Sequence, residues 1–143
     1  MEAFINSAIM KTRSGMGRRI RIISESIGEV YAELKEELNP NTSEIVWNSL
    51  PLEGSATIWG DEIYFSVGLE IGLENAVQDV EIGDIAFWPP GKAICIFFGP
   101  TPISKGEKPR AYSPVNVFAK VIGDPKVFKK VVEGEKIVLE RAP

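Results

Sequence analysis

Residues 83–102, Gly-Asp-Ile-Ala-Phe-Trp-Pro-Pro-Gly-Lys-Ala-Ile-Cys-Ile-Phe-Phe-Gly-Pro-Thr-Pro, constrain the fold of this chain more than any other stretch. Two short apolar runs flank a Pro-Pro-Gly break. Runs of this length bounded by Gly and Pro read as strands, because proline neither donates to a ladder nor continues a helix. The second run, 93–98, is apolar at successive positions, so this strand is expected to be covered on both sides. It ends in Gly99-Pro100-Thr101-Pro102, where a sheet opens into a shaped loop.

The remaining chain has the same grain. Ile20 and Ile22 alternate with Arg19 and Arg21, and after a Ser-Glu-Ser turn Val30, Ala32 and Leu34 alternate with Tyr31 and Glu33, the pattern of a half-buried hairpin. Asn41-Thr42-Ser43-Glu44 supplies a cap residue with Glu three positions on, and Ile45, Val46, Trp47 and Leu50 continue it as one helix stopped at Pro51. Residues 56–59 and 62–67 flank Gly60-Asp61, a tight-turn pair, with Ile63, Phe65 and Val67 on one face and Glu62, Tyr64 and Ser66 on the other. Leu69, Ile71 and Leu73 predict a further strand or edge piece, weakened by Gly68 and Gly72.

Residues 99–114 carry Pro100, Pro102, Pro109 and Pro114 without periodicity and read as a long loop of the functional kind. A strand over 115–122, a helical turn capped by Asp124-Pro125 and a strand over 137–140 complete the chain. About eight strands with no internal repeat and no strand–helix alternation predict a mainly β fold. The expected form is a closed eight-stranded antiparallel barrel with one α-helix and one short helical turn at its ends.

Composition removes several chemistries. The 143 residues suit one domain, and 44% hydrophobic with 25% charged residues is the balance of a globule. The sequence has no histidine, which removes Ser-His and Cys-His activation and the commonest metal ligand. With Cys95 its one cysteine, there is neither an internal disulfide nor a structural zinc site, and Ile94 and Ile96 beside it mark the thiol as packing. No metal and no cofactor are predicted. Glu36-Glu37 and Asp79 with Glu81 lack calcium-loop spacing, and Gly15 and Gly17 lack the strand and helix of a phosphate loop. The net charge of −4 argues against a nucleic-acid partner, and Lys11, Arg13, Arg18, Arg19 and Arg21 read as a solvated tail and an outer strand face. Without a secretory leader or a spanning apolar run, the expectation is a cytoplasmic protein with no membrane contact. Residues 1–17 are expected to be a flexible N-terminal extension and 18–143 the domain.

The segments Gly60-Asp61-Glu62-Ile63-Tyr64-Phe65, Gly83-Asp84-Ile85-Ala86-Phe87-Trp88-Pro89-Pro90-Gly91, Ile96-Phe97-Phe98-Gly99-Pro100-Thr101-Pro102 and Ser113-Pro114-Val115-Asn116-Val117-Phe118 resemble the small prokaryotic cyclophilin-like proteins of unknown function. The likeness runs from about Arg18 to the C-terminus. It implies a cyclophilin-type barrel of eight strands. It does not carry the prolyl-isomerase activity of true cyclophilins, whose pocket combines an arginine and a histidine; this chain has no histidine, and Arg18, Arg19, Arg21 and Arg110 match no isomerase motif.

The ligand-facing residues expected from these patterns are Trp59, Glu62, Tyr64, Trp88, Phe98, Thr101, Ser113 and Asn116. Glu62 beside aromatic surface is placed for a raised pKa, and Trp88 stands at a strand end where barrels open. Thr101 and Ser113 are hydroxyls of the proline-rich loop, which also carries Ser104 and Tyr112. Each has a plainer alternative: a solvated strand face for Glu62, core packing for the aromatics, a rigid connector for the loop, and for Asn116 a hydrogen bond to loop backbone. The expected partner is a small molecule or an extended peptide, neutral or cationic rather than anionic, in an acidic aromatic groove. Weak prolyl isomerisation and a structural or assembly role are the alternatives, and neither catalysis nor oligomeric state follows from the sequence.

Overall fold

A computed structural model describes residues 17–143. The expectation of a flexible 1–17 extension, with Lys11 and Arg13, therefore lies outside the described residues except at Gly17. The hairpin predicted at the start forms as β1 (Arg19–Ser24) and β2 (Gly28–Leu34), in register from Arg19 opposite Glu33 to Ser24 opposite Gly28. Helix α1 spans Pro40–Ser49 and begins two residues earlier than a cap at Asn41 would have it, because proline suits the first helical position. Its Thr42, Ser43 and Val46 are buried, and it packs on the long strand Arg110–Val121.

After α1 come β3 (Leu52–Ser55), β4 (Thr57–Ile58), β5 (Glu62–Ser66), β6 (Val77–Asp79) and β7 (Asp84–Trp88). A single 3-10 turn, Pro89–Gly91, joins β7 to β8 (Ala93–Phe97). The chain ends with β9 (Arg110–Val121), a second 3-10 segment at Pro125–Lys130 and β10 (Lys136–Arg141). The strands pair in the order β3-β10-β1-β2-β9-β7-β8-β5-β4, with β6 added to β9. The pairings among them are antiparallel.

Two strand expectations need correction. The sheet has ten strands, and hydrogen bonds do not close it as an eight-stranded barrel. It rolls until β3 lies against β5, but the two meet by packing: a Cβ on Gly54 would stand 2.6 Å from the carbonyl oxygen of Ser66. The segment holding Leu69, Ile71 and Leu73 is not a strand. There the side chain of Asn116 stands in for a neighbouring strand, accepting from the Glu74 N–H (2.9 Å) and donating to the Gly72 carbonyl (2.8 Å).

The predicted loop over 99–114 also ends earlier, since 110–114 belong to β9. Pro114 is accommodated because the β6–β9 register shifts between Val77 opposite Val115 and Asp79 opposite Arg110. A second irregularity opposite Ile85 and Ala86 turns both Phe118 and Ala119 to the interior. β9 is thus one long strand with two tasks: its end pairs with β2 and β7, and its beginning reaches β6.

Two apolar clusters follow. The larger fills the inside of the roll and includes Ile20, Ile22, Ile63, Phe65, Ile85, Phe87, Ile94, Ile96, Phe98, Phe118, Phe128 and Leu139. The smaller lies on the other face of β7 and β8 and joins Ala86, Cys95 and Phe97 to Val80, Ala111, Val115 and Val117. At one end of the roll, Arg18 and Arg141 stack on Trp47 at 4.8 and 4.6 Å, tying β1 and β10 to the helix. Among the described residues no helix is long and apolar enough to cross a membrane.

The seam between β3 and β5 makes a direct test of the rolled sheet. Gly54→Ala forces a methyl group onto the Ser66 carbonyl and the Phe65 side chain, and is expected to destabilise the fold by about 1–3 kcal/mol. A denaturant midpoint equal to the wild type would mean that the strands do not touch there.

Candidate functional site

The face of β5 that carries Glu62 and Tyr64 is the outer one. Tyr64 lies opposite Cys95 and Glu62 opposite Phe97, so both polar side chains share a surface with the smaller apolar cluster. The first half of β9 passes over this surface and encloses a cavity of about 370 Å³, lined by Trp59, Glu62, Tyr64, Trp88, Cys95, Ala111, Tyr112 and Val115. That is the size of a small-metabolite pocket.

Local structure fixes each wall. Trp59 and Glu62 flank the Gly60-Asp61 turn and exchange backbone hydrogen bonds, Trp59 N–H to the Glu62 carbonyl (2.9 Å) and Glu62 N–H to the Trp59 carbonyl (3.1 Å). The turn is held from below, where Asp61 N–H donates to the Pro100 carbonyl (2.9 Å). Trp88 ends β7 and lies against the backbone of Gly91, where a Cβ would come within 2.6 Å of its ring. Its indole N–H donates to Ser113 Oγ at 2.7 Å.

The rings form a chain of edge-to-face pairs: Trp59 with Tyr112 (centroids 6.0 Å, planes at 78°), Tyr112 with Trp88 (6.1 Å, 83°) and Trp88 with Tyr64 (5.9 Å, 73°). This is the geometry that the ring quadrupoles favour.

Glu62 is the polar exception in this apolar layer. It is 5% exposed, and its Oε1 has no hydrogen-bond partner. Desolvation raises its pKa from the ordinary 4.5 to about 7, against a smaller opposing effect from the Cys95 thiol. Burial and the facing carboxyl push the Cys95 thiol well above its ordinary range, so it stays protonated. Cys95 thus packs as its apolar neighbours imply, and it also lines the cavity.

The sequence-derived residues separate into three groups. Trp59, Glu62, Tyr64 and Trp88 come together around the cavity, and Ser113 orients Trp88 from behind. Phe98 points into the inner core, where it packs on Phe128 (6.2 Å). Thr101 and Asn116 are structural. Thr101 Oγ1 donates to the Arg110 carbonyl (2.6 Å), while Ser104 Oγ accepts from the N–H groups of Thr101 (2.9 Å) and Arg110 (3.1 Å), closing the loop onto the start of β9. Asn116 is fully buried and also donates to Thr42 Oγ1 (3.1 Å) on α1. Because it lies opposite Phe87, it faces the interior, away from the cavity.

The residues absent from that set are Cys95, Ala111, Tyr112 and Val115. Cys95 was accessible to pattern reasoning, since it alternates with Ile94 and Ile96 and so faces the side that Tyr64 faces. The other three depend on β9 folding back over the sheet, which no local pattern encodes.

Residues 18–140 match the family described as cyclophilin-like. The chain belongs to the cyclophilin-like family. It is 44% identical to a hypothetical protein from Archaeoglobus fulgidus whose solution structure superposes with a TM-score of 0.76, over 91% of this chain and 98% of that one. No curated protein matches the sequence. Among the described residues of this cyclophilin-like chain, no cluster of three or more acidic or sulfur side chains is arranged to hold a metal ion.

Two measurements test this geometry in the cyclophilin-like domain. A buried Glu62 that ionises near pH 7 when folded but near 4.5 when unfolded stabilises the native state while protonated, and that contribution is lost as pH rises through 7. Stability is expected to fall by on the order of 3 kcal/mol between pH 5 and pH 8, and Glu62→Gln to abolish that fall. Glu135 does not obscure the result. Burial opposes its charge, but hydrogen bonds from Ser26 and Val132 hold it at about 2, so its contribution is lost only as pH falls below 4.5. Parallel pH profiles for wild type and variant would exclude the protonated carboxyl. Separately, Asn116→Ala strands Glu74 N–H and the Gly72 carbonyl and is expected to cost about 2–4 kcal/mol, with faster hydrogen exchange over 67–76. A purely ligand-facing asparagine would leave both unchanged.

Proposed function

We propose that this cyclophilin-like protein binds a small molecule or an extended peptide in the outer-face cavity, with Glu62 fixing the orientation of what enters. One observation carries the reading: a carboxyl almost fully removed from water has an oxygen with no protein partner, inside a cavity walled by aromatic rings. A buried polar atom left unsatisfied costs about 1–3 kcal/mol, and a ligand that hydrogen-bonds to it recovers that cost. Ionising near pH 7, Glu62 donates a hydrogen bond when protonated and accepts when charged.

Binding is preferred over prolyl isomerisation as the reading. The lining includes no arginine, and Arg110, next to Ala111, is held by Asp79 (2.6 Å) and Gln78 (3.1 Å). A structural or assembly role has no particular observation in its favour.

An NMR shift-perturbation screen with metabolites and proline peptides tests the proposal. Binders are expected to shift Trp59, Glu62, Tyr64, Trp88 and Tyr112, and Glu62→Gln to weaken them about tenfold, the loss of one charge-assisted hydrogen bond. Unchanged affinity of every hit for Glu62→Gln would overturn the role of the carboxyl.

A further inference from the structure

The ligand class follows from what the cavity supplies and what it lacks, given the reading that the cavity binds a ligand. It supplies four rings from separate parts of the chain: Trp59 beside the first hairpin turn of the site, Tyr64 on β5, Trp88 at the end of β7 and Tyr112 on β9. Successive planes meet at 73–83°, so the rings do not form a flat stack, and all four line the same cavity. Trp88 has its N–H engaged by Ser113, which leaves the ring itself as its contribution.

The cavity lacks a counter-charge. No lysine or arginine lines it. The nearby cations are committed elsewhere, Lys129 to Asp61 (3.7 Å) and Arg110 to Asp79 (2.6 Å). Ring faces carry negative quadrupole potential, and they attract a cation most strongly when it is weakly hydrated and easily stripped of water.

We propose that the cavity is an aromatic cage for an organic ammonium ion with small apolar substituents, walled by Trp59, Tyr64, Trp88 and Tyr112, with the buried Glu62 carboxylate as its counter-charge. The apolar substituents replace water against the rings, and the positive centre supplies the charge that the carboxylate lacks. An inorganic cation would need several oxygen ligands where the lining offers one carboxylate. An anion would meet that carboxylate and the negative faces of the rings.

Binding of such an ion displaces the Glu62 proton. The titratable groups that share the cavity lining with Glu62 are Cys95 from β8, Tyr64 from its own strand and Tyr112 from β9. Cys95 remains a neutral thiol, and Asp61 in the adjoining turn is paired with Lys129. Apparent affinity for a permanent cation is therefore expected to rise roughly tenfold from pH 6 to pH 8, as the ionised fraction of a group titrating near 7 rises from about a tenth to about nine-tenths.

The test titrates the 15N-labelled full chain with tetramethylammonium, choline and benzyltrimethylammonium, and with 3,3-dimethylbutan-1-ol as the neutral isostere of choline. At least one cation is expected to shift the indole signals of Trp59 and Trp88 and to bind at least tenfold more tightly than its isostere, with affinity rising from pH 6 to pH 8. Glu62→Gln should lose both the preference for charge and the pH dependence. Tyr112→Leu, at a position 69% exposed and so safe for folding, should weaken the cation more than the alcohol. Equal binding of cation and isostere would overturn the cage. So would an absence of cation shifts while a neutral metabolite or proline peptide still perturbs the cavity, a result that leaves the binding reading standing. Failure of every compound to perturb the cavity would overturn both.

Discussion

β8 has no polar face, and the architecture answers that constraint. All five of its residues, Ala93–Phe97, are buried. Ile94 and Ile96 belong to the interior of the roll, whereas Cys95 and Phe97 belong to the outer cluster. Burying a large apolar side chain contributes about 1.5–3 kcal/mol, so a strand of this composition favours two covering layers rather than one. Rolling the sheet supplies the inner layer. The outer layer comes from β9, whose two register irregularities let one strand both complete the roll and fold back over it.

The same outer layer explains the character of the site. Glu62 occupies a position whose neighbours across the ladder are Phe97 and, diagonally, Cys95. A carboxylate there loses hydration without gaining a cation or a backbone donor for Oε1, and its ionisation moves up from the ordinary range to about 7. Had β9 not covered this face, Glu62 would stand on a solvated strand. Its unusual titration thus belongs to the tertiary arrangement rather than to its own segment.

This distinction separates what was legible in the sequence from what was not. The hairpins at 19–34, 57–66 and 84–97 were legible because strand alternation and turn residues are local signals. So was the common face of Glu62 and Tyr64, which follows from a period of two. The segment 67–76 misled the pattern, since Leu69, Ile71 and Leu73 alternate as a strand would while the backbone of Gly72 and Glu74 beside them is held by a distant asparagine side chain. Nearness in sequence to the cavity walls suggests a ligand surface for Phe98, Thr101 and Asn116, but the fold turns them elsewhere. For Phe98 the period of two points inward, to the face of Ile94 and Ile96, whereas the orientations of Thr101 and Asn116 depend on the turn after β8 and on the register of β9, which residue type does not mark. Closure failed as an expectation for a related reason. Alternation identifies strands but does not reveal whether β3 and β5, brought together by the roll, exchange hydrogen bonds, and at Gly54 they meet by packing instead.

The two sides of the cavity are built to different standards of rigidity. Glu62, Tyr64 and Trp88 stand on strands hydrogen-bonded on both sides or at their ends, with Trp88 fixed further by Ser113 and Gly91. Tyr112 stands on the part of β9 that pairs only with the short, bulged β6, and its position is set from below by the Thr101 and Ser104 hydroxyls that brace Arg110. Unlike the charge-bearing wall, it is mostly exposed. The group that sets polarity is therefore held by the core, while the ring that completes the enclosure is held by a loop. Exposed loop positions tolerate change at little expense to the fold, so substitutions at 105–108, outside the Thr101 and Ser104 bracing, can shift the support of Tyr112 while leaving the buried carboxyl and its environment intact.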